Sequence, residues 1–147
     1  VQAGKRPRSS MAPTIVFNAA SGDLEGIIGS PGGSAIIQYT AKSILGMADW
    51  GLNVQQAINL PNFGAQTNAT TSIEKGSAID TAAIRDGLKA RGHTVAQTES
   101  FTSGLHGVVF NGVRNNGDAG LFARNPGAGT YAGGADPRRE GIAQGNP

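Results

Sequence analysis

Gly29-Ser30-Pro31-Gly32-Gly33-Ser34, running straight into the apolar stretch from Ala35 to Trp50, is the segment on which the fold turns. Two adjacent glycines leave backbone N–H groups with no Cβ beside them, and the positive end of a following helix adds to the same spot. A strand, glycine turn and helix in this order can stabilise a phosphate, a carboxylate or a developing oxyanion. By spacing alone, a tight turn that merely redirects the chain reads equally well. Ile36, Ile37, Ile44, Leu45, Met47 and Trp50 spread around most of a helical wheel. The helix, with Ser34 as its N-cap, is therefore expected to lie buried between layers, with Trp50 in the core.

Upstream of this segment, Thr14 to Phe17 and Leu24 to Ile28 are β-prone runs flanking the polar turn Asn18 to Asp23, which predicts a hairpin. Downstream, Asn53 caps a short helix from Val54 to Asn59 that Pro61 stops. Thr70 to Glu74 reads as a strand, and Asp80 as the cap of a helix from Thr81 to Arg91 closed by Gly92. Strands are predicted at Thr94 to Thr98, Gly107 to Asn111 and Gly120 to Phe122, with a turn at Asn115 to Asp118 and a loop from Asn125 to Gly134. The sum is one α+β domain over residues 1–147, helices on an antiparallel sheet, with about 140–147 a frayed tail.

Composition removes several function classes. The 147 residues carry a net charge of only +2, with basic residues clustered at Lys5, Arg6 and Arg8 and at Arg138 and Arg139. Two short clusters and 5% aromatic residues give neither a phosphate-tracking stripe nor a stacking platform, so nucleic acid is not an expected partner. No apolar run reaches the length of a membrane span. Cysteine is absent, which excludes disulfides and thiolate metal sites within the chain. His93 and His106 have no Asp or Glu at ligand spacing, so no metal and no cofactor is expected. Asn68-Ala69-Thr70 is a glycosylation sequon of the kind chance produces readily.

The glycine loop is not a Walker A loop, because no Gly-Lys-Ser/Thr follows it, and the chain has no Gly-x-Ser-x-Gly elbow. Gly127 to Ala132 fits a loose dinucleotide fingerprint but follows no predicted strand and opens no helix. Ser9 and Ser10, beside Arg6 and Arg8, could hold a carboxylate if the backbone turns there; a solvated basic arm is the simpler reading by composition. Asp136-Pro137-Arg138 reads as a salt-bridged strand end.

Taken together, Lys5-Arg6-Pro7-x-Ser9-Ser10-Met11, Pro13-Thr14-Ile15 and Gly29 to Ser34 resemble, in order and separation, the small-subunit signature of the γ-glutamyltransferase family. Asp49-x-Gly51-Leu52-Asn53, Glu74 ahead of Lys89 to His93, and Gly133 to Arg138 extend the likeness over nearly the whole chain. The resemblance implies the C-terminal portion of a small subunit and part of an N-terminal-nucleophile hydrolase αββα sandwich. Its chemistry would be γ-glutamyl transfer or hydrolysis, with glutathione as the typical donor. Ser9 and Ser10 would hold the α-carboxylate end of the glutamyl group, and the N–H groups of Gly32 and Gly33 would form the oxyanion hole. The family's nucleophile is a threonine freed by self-cleavage, whereas this chain begins Val1-Gln2-Ala3-Gly4. The nucleophile, the rest of the small subunit and the large subunit are thus expected as partners outside these residues, and the chain alone is expected to be inactive. A large exposed apolar patch should mark where the missing half packs. Acylase chemistry on other amides such as β-lactam side chains, or a binding domain without a nucleophile, are the alternatives. By resemblance the protein is expected in the periplasm or secreted.

Overall fold

The structure, a computed structural model, describes residues 2–65, 70–99, 101–113, 120–122, 127–128 and 130–144. The predicted hairpin is present: β1 (Thr14–Phe17) pairs antiparallel with β2 (Leu24–Gly29), with an irregularity between Val16 and Phe17. Asn18 makes the turn, its side-chain oxygen accepting from the N–H groups of Ala20 and Ser21 while its own N–H donates to the Asp23 carbonyl. β6 (His106–Phe110) and β9 (Tyr131–Ala135) complete a four-stranded antiparallel sheet in the order β1-β2-β6-β9. The loop predicted from Asn125 to Gly134 is thus replaced at its end by a strand, which satisfies its backbone groups against β6 rather than in water.

A single 3-10 turn (Gly33–Ala35) leads into α1 (Ile36–Ala48). Ser34 lies inside that turn and is not the N-cap; Ala35 is, with no side-chain cap. Nor is α1 buried on all sides. Ile36, Tyr39, Lys42, Ser43 and Met47 face inward, while Ile37, Leu45 and the neighbouring Trp50 are 52%, 47% and 57% exposed. An apolar wheel marks residues able to be buried; the layers present here cover one side only.

α2 (Val54–Asn59) forms as predicted, with a reciprocal capping box between Asn53 and Gln56. Together α1 and α2 cover one face of the four-stranded sheet, where Ile28, Tyr39, Met47, Val54, Ala57, Ile58, Leu105 and Val109 form the core. A Cβ on Gly134 would lie 2.8 Å from the Ile58 side chain, so the bare backbone of β9 is what lets α2 settle onto the sheet. The opposite face has no covering layer among the described residues: Ile15, Phe17, Ile27, Val108 and Tyr131 are all about half exposed. Ile15, Ile27 and Val108 are register partners, so they form a continuous apolar row.

A second sheet, β3 (Phe63–Ala65), β4 (Thr70–Glu74) and β5 (Thr94–Thr98), corrects the expectation of antiparallel pairing throughout. β4 and β5 are parallel, because α3 (Ala82–Ala90) carries the chain back between them. Thr81, not Asp80, caps α3; the Asp80 carboxylate instead accepts from the Gly76 N–H, Gln97 and Arg85. β7 (Gly112–Val113) and β8 (Gly127–Ala128) form a small parallel pair. The strand expected at Gly120 to Phe122 is a turn at Leu121 and Phe122, with the Leu121 N–H donating to the buried Glu25 carboxylate. The turn predicted at Asn115 to Asp118 and the Asn68 sequon lie outside the described residues.

Candidate functional site around the glycine loop

β2 ends at Gly29 and delivers the chain to the loop ahead of α1. The Ser30 hydroxyl donates to the Pro31 carbonyl and accepts from the Gly104 N–H at 3.1 Å, so the loop is tied to the segment leading into β6. Gly32 has φ +139° and Gly33 has φ +61°, conformations that side chains resist. At Gly32 space is also closed, since a Cβ would lie 2.5 Å from the Tyr39 ring; at Gly33 the corresponding space is open. Neither glycine N–H donates a hydrogen bond among the described residues, whereas the Gly32 carbonyl accepts from Ala35 and the Gly33 carbonyl from Ser10. The loop therefore turns carbonyls toward protein and leaves donors free, which suits it to an anionic oxygen.

The structure brings Ser10 to this loop and leaves Ser9 exposed. The Ser10 N–H donates to the Gly33 carbonyl at 3.0 Å, and its hydroxyl lies 3.2 and 3.1 Å from the Gly33 and Ser34 carbonyls. Two segments separated by more than a strand hairpin thus meet, through backbone contacts no sequence spacing reveals. Lys5, Arg6 and Arg8 are exposed beside it.

A cleft of about 520 Å3 opens next to the two glycines, lined also by Arg8, Tyr39, Phe101, Thr102 and Arg139. Tyr39 packs edge-to-face on Phe101 at 6.1 Å. Burial raises the Tyr39 phenol above its ordinary value, outweighing its hydrogen bonds to Thr102. Arg139 was legible only as part of a terminal basic pair; its arrival beside Gly32 depends on β9 pairing with β6.

A second polar cluster lies on the buried side of the same framework. Arg138 forms two bonds to Glu74, at 2.6 and 2.8 Å, one to Asp136 at 3.1 Å, and reaches the Ile58 and Leu60 carbonyls. Lys42 donates to the same two carbonyls. Asp136 accepts from the Leu105 and Arg138 N–H groups and from Ser103, which in turn accepts from Asn62. Burial pushes the Glu74 and Asp136 carboxyls up, but these hydrogen bonds and the guanidinium outweigh it and hold both below their ordinary range. For Lys42, burial and then the Arg138 charge lower the ammonium to about 8, despite the two carboxylates. The predicted salt-bridged strand end at Asp136 to Arg138 is this cluster.

The histidines are apart from both. His93 Nδ1 lies 2.9 Å from the Thr71 hydroxyl and His106 Nδ1 lies 3.1 Å from the Gly104 carbonyl. No group of residues able to hold a metal ion occurs among the described residues, and no helix there is long and apolar enough to cross a membrane.

Residues 1–146 match the family model described as gamma-glutamyltranspeptidase. A glutathione hydrolase proenzyme of Escherichia coli K12 is 41% identical over 100 residues, which cover 67% of this chain and 16% of that protein. Another, from Pseudomonas sp. strain A14, is 46% identical over 63 residues, 43% of this chain and 11% of that protein. A crystal structure of a Helicobacter pylori gamma-glutamyltranspeptidase mutant superposes with a TM-score of 0.73 at 27% identity, covering 95% of this chain and 66% of that one. The chain thus spans about a sixth or less of the curated relatives it matches here.

Proposed function

The chain belongs to the gamma-glutamyltranspeptidase family, and from that premise we propose that it forms part of an enzyme that transfers or hydrolyses γ-glutamyl groups, with glutathione-type donors. The observation that carries this is the meeting of Ser10 with a glycine pair whose N–H groups have no partner among the described residues. In this proposal a threonine hydroxyl outside residues 1–147 attacks the γ-carbonyl carbon while its own α-amino group takes the hydroxyl proton. The carbonyl oxygen becomes anionic and lies against the N–H groups of Gly32 and Gly33. Collapse of the tetrahedral species breaks the C–N bond, the leaving amine takes the proton, and a γ-glutamyl ester remains for water or another amine to resolve. Ser9 and Ser10 hold the α-carboxylate end of the glutamyl group, Ser9 from its exposed position and Ser10 by turning its hydroxyl from the Gly33 and Ser34 carbonyls toward the ligand.

The uncovered apolar row of Ile15, Ile27 and Val108 supports partners for this chain: the large subunit of the same precursor and the upstream part of the small subunit. Residues 1–147 alone are expected to be inactive, as purified protein assayed with a γ-glutamyl anilide would test. The same proposal places the protein in the periplasm or outside the cell, which fractionation of the native host would check. The decisive experiment is the intact mass and activity of the product of the complete reading frame. Two polypeptides, the smaller beginning with threonine and containing this sequence, and turnover of glutathione are expected. A single uncut, inert chain would overturn the enzyme reading in favour of a binding domain.

A further inference from the structure

A trans peptide group points its carbonyl and its N–H in opposite directions, so holding one end aims the other. The N–H of Gly32 shares a peptide group with the Pro31 carbonyl, and the N–H of Gly33 shares one with the Gly32 carbonyl. Both carbonyls are held, by different devices. The Gly32 carbonyl accepts from the Ala35 N–H at 3.2 Å, within the turn that opens α1. The Pro31 carbonyl accepts from a side chain, the Ser30 hydroxyl, at 2.7 Å. A latch is needed there. The Pro31 ring fixes only its own φ, and the Gly32 φ of +139° belongs to a residue whose backbone turns at little cost.

The Ser30 hydroxyl is itself oriented. Its oxygen accepts from the Gly104 N–H at 3.1 Å, which leaves its single proton for the Pro31 carbonyl. Gly104 is a firm support, because Ser103 and Leu105 on either side of it are fully buried. The Ser103 hydroxyl accepts from Asn62 at 2.8 Å, and the Gly104 carbonyl accepts from the His106 ring at 3.1 Å. A Cβ on Gly104 would lie 2.9 Å from the Pro31 ring, so the bare backbone lets this segment lie flat against the loop. One hydrogen bond and one close contact thus tie the start of β6 to the peptide that carries the Gly32 N–H.

Resting on the function proposed above, we propose that Ser30 is a positioning residue of the reaction. Its hydroxyl, set by the Gly104 N–H, turns the Pro31–Gly32 peptide so that the Gly32 N–H meets the developing oxyanion. Ser30 acts through that one peptide group and not on the substrate. The consequence is selective, since a donor aimed at the tetrahedral oxygen stabilises the transition state more than the bound ground state.

The test uses the product of the complete reading frame with γ-glutamyl-4-nitroanilide and two ligands. One is glutamate; the other is its analogue with a boronic acid in place of the γ-carboxyl group, which becomes a tetrahedral anion when a hydroxyl adds to boron. In Ser30→Ala, kcat is expected to fall about tenfold, the worth of one hydrogen bond, while KM stays within about twofold. Affinity for the boronic acid should fall by the same factor as kcat, and affinity for glutamate should not change. Ser30→Thr, which keeps the hydroxyl, should recover most of both losses, and melting temperatures report whether each variant folds. Equal weakening of the boronic acid and glutamate would overturn the inference by assigning Ser30 to the glutamyl end or to folding. An unchanged kcat in Ser30→Ala would also overturn it, as would a Ser30→Thr protein that melts as wild type yet is as slow as Ser30→Ala. A wild-type protein inert toward the anilide is recognised before any variant is made, and removes the proposed function and this inference together.

Discussion

The two polar clusters that meet around residues 136–139 do opposite things with charge. In the buried one, every ionised group has a partner: Glu74 and Asp136 face Arg138, and Lys42 shares two carbonyls with that guanidinium. At the glycine-loop cleft, two N–H groups donate no hydrogen bond and two arginines in the wall have no ion pair among the described residues. The first arrangement fastens α1, the end of α2, β4 and the end of β9 to one another. The second is useful only when something binds. Satisfied buried polarity specifies architecture, and unsatisfied exposed polarity specifies a site.

Removing the guanidinium from the buried cluster should have the largest effect on this contrast. Arg138→Ala leaves the buried Asp136 and the half-buried Glu74 without their guanidinium and is expected to cost about 3 kcal/mol of stability by urea denaturation. A loss under 1 kcal/mol, on the order of an exposed pair, would show that the cluster is solvated. In the cleft, Gly32→Ala meets both the Tyr39 ring and an unfavourable φ. It should lower kcat about a hundredfold on a γ-glutamyl anilide, in the range of a lost oxyanion donor. Near-normal turnover would detach the loop from the chemistry.

Proton linkage separates the clusters further. The Lys42 ammonium is lowered to about 8, below its unfolded value, so the folded state holds fewer protons and its stability increases as pH rises above about 8. The gain is expected to be about 3 kcal/mol by the unfolded pKa near 10.4, to be lost again as pH falls back through 8, and to vanish in Lys42→Met. Glu74 and Asp136, both held low, contribute stability that disappears as pH falls below about 4. Denaturation midpoints across pH would show both limbs; a flat alkaline limb in the wild type would mean that Lys42 is hydrated. The smallest effect is expected at Ser10→Ala. There the lost hydroxyl contact to the Gly33 and Ser34 carbonyls costs about 1 kcal/mol of stability. In the assembled enzyme KM for γ-glutamyl donors should rise more than kcat falls.

Much of this was legible locally. Asn53 and Gln56 at capping-box spacing, the Asn18 turn between two β-prone runs, and Gly92 after a helix encode their own hydrogen bonds within a few residues, so the sequence alone determined those elements. It marked Gly32-Gly33 as either an anion-binding turn or a plain one; the positive φ of both glycines and the Tyr39 ring closing on Gly32 belong to the tertiary structure. What it could not determine depended on pairing at a distance. Whether β4 and β5 run parallel, and which side of α1 is covered, are set by layers contributed from elsewhere in the chain. So is the fate of two adjacent arginines, one half-buried and paired with carboxylates, the next exposed and lining the cleft. Local hydrogen bonds are written in residue types a few positions apart. Burial and ion pairing are fixed by which surfaces meet, and only the tertiary structure brings those surfaces together.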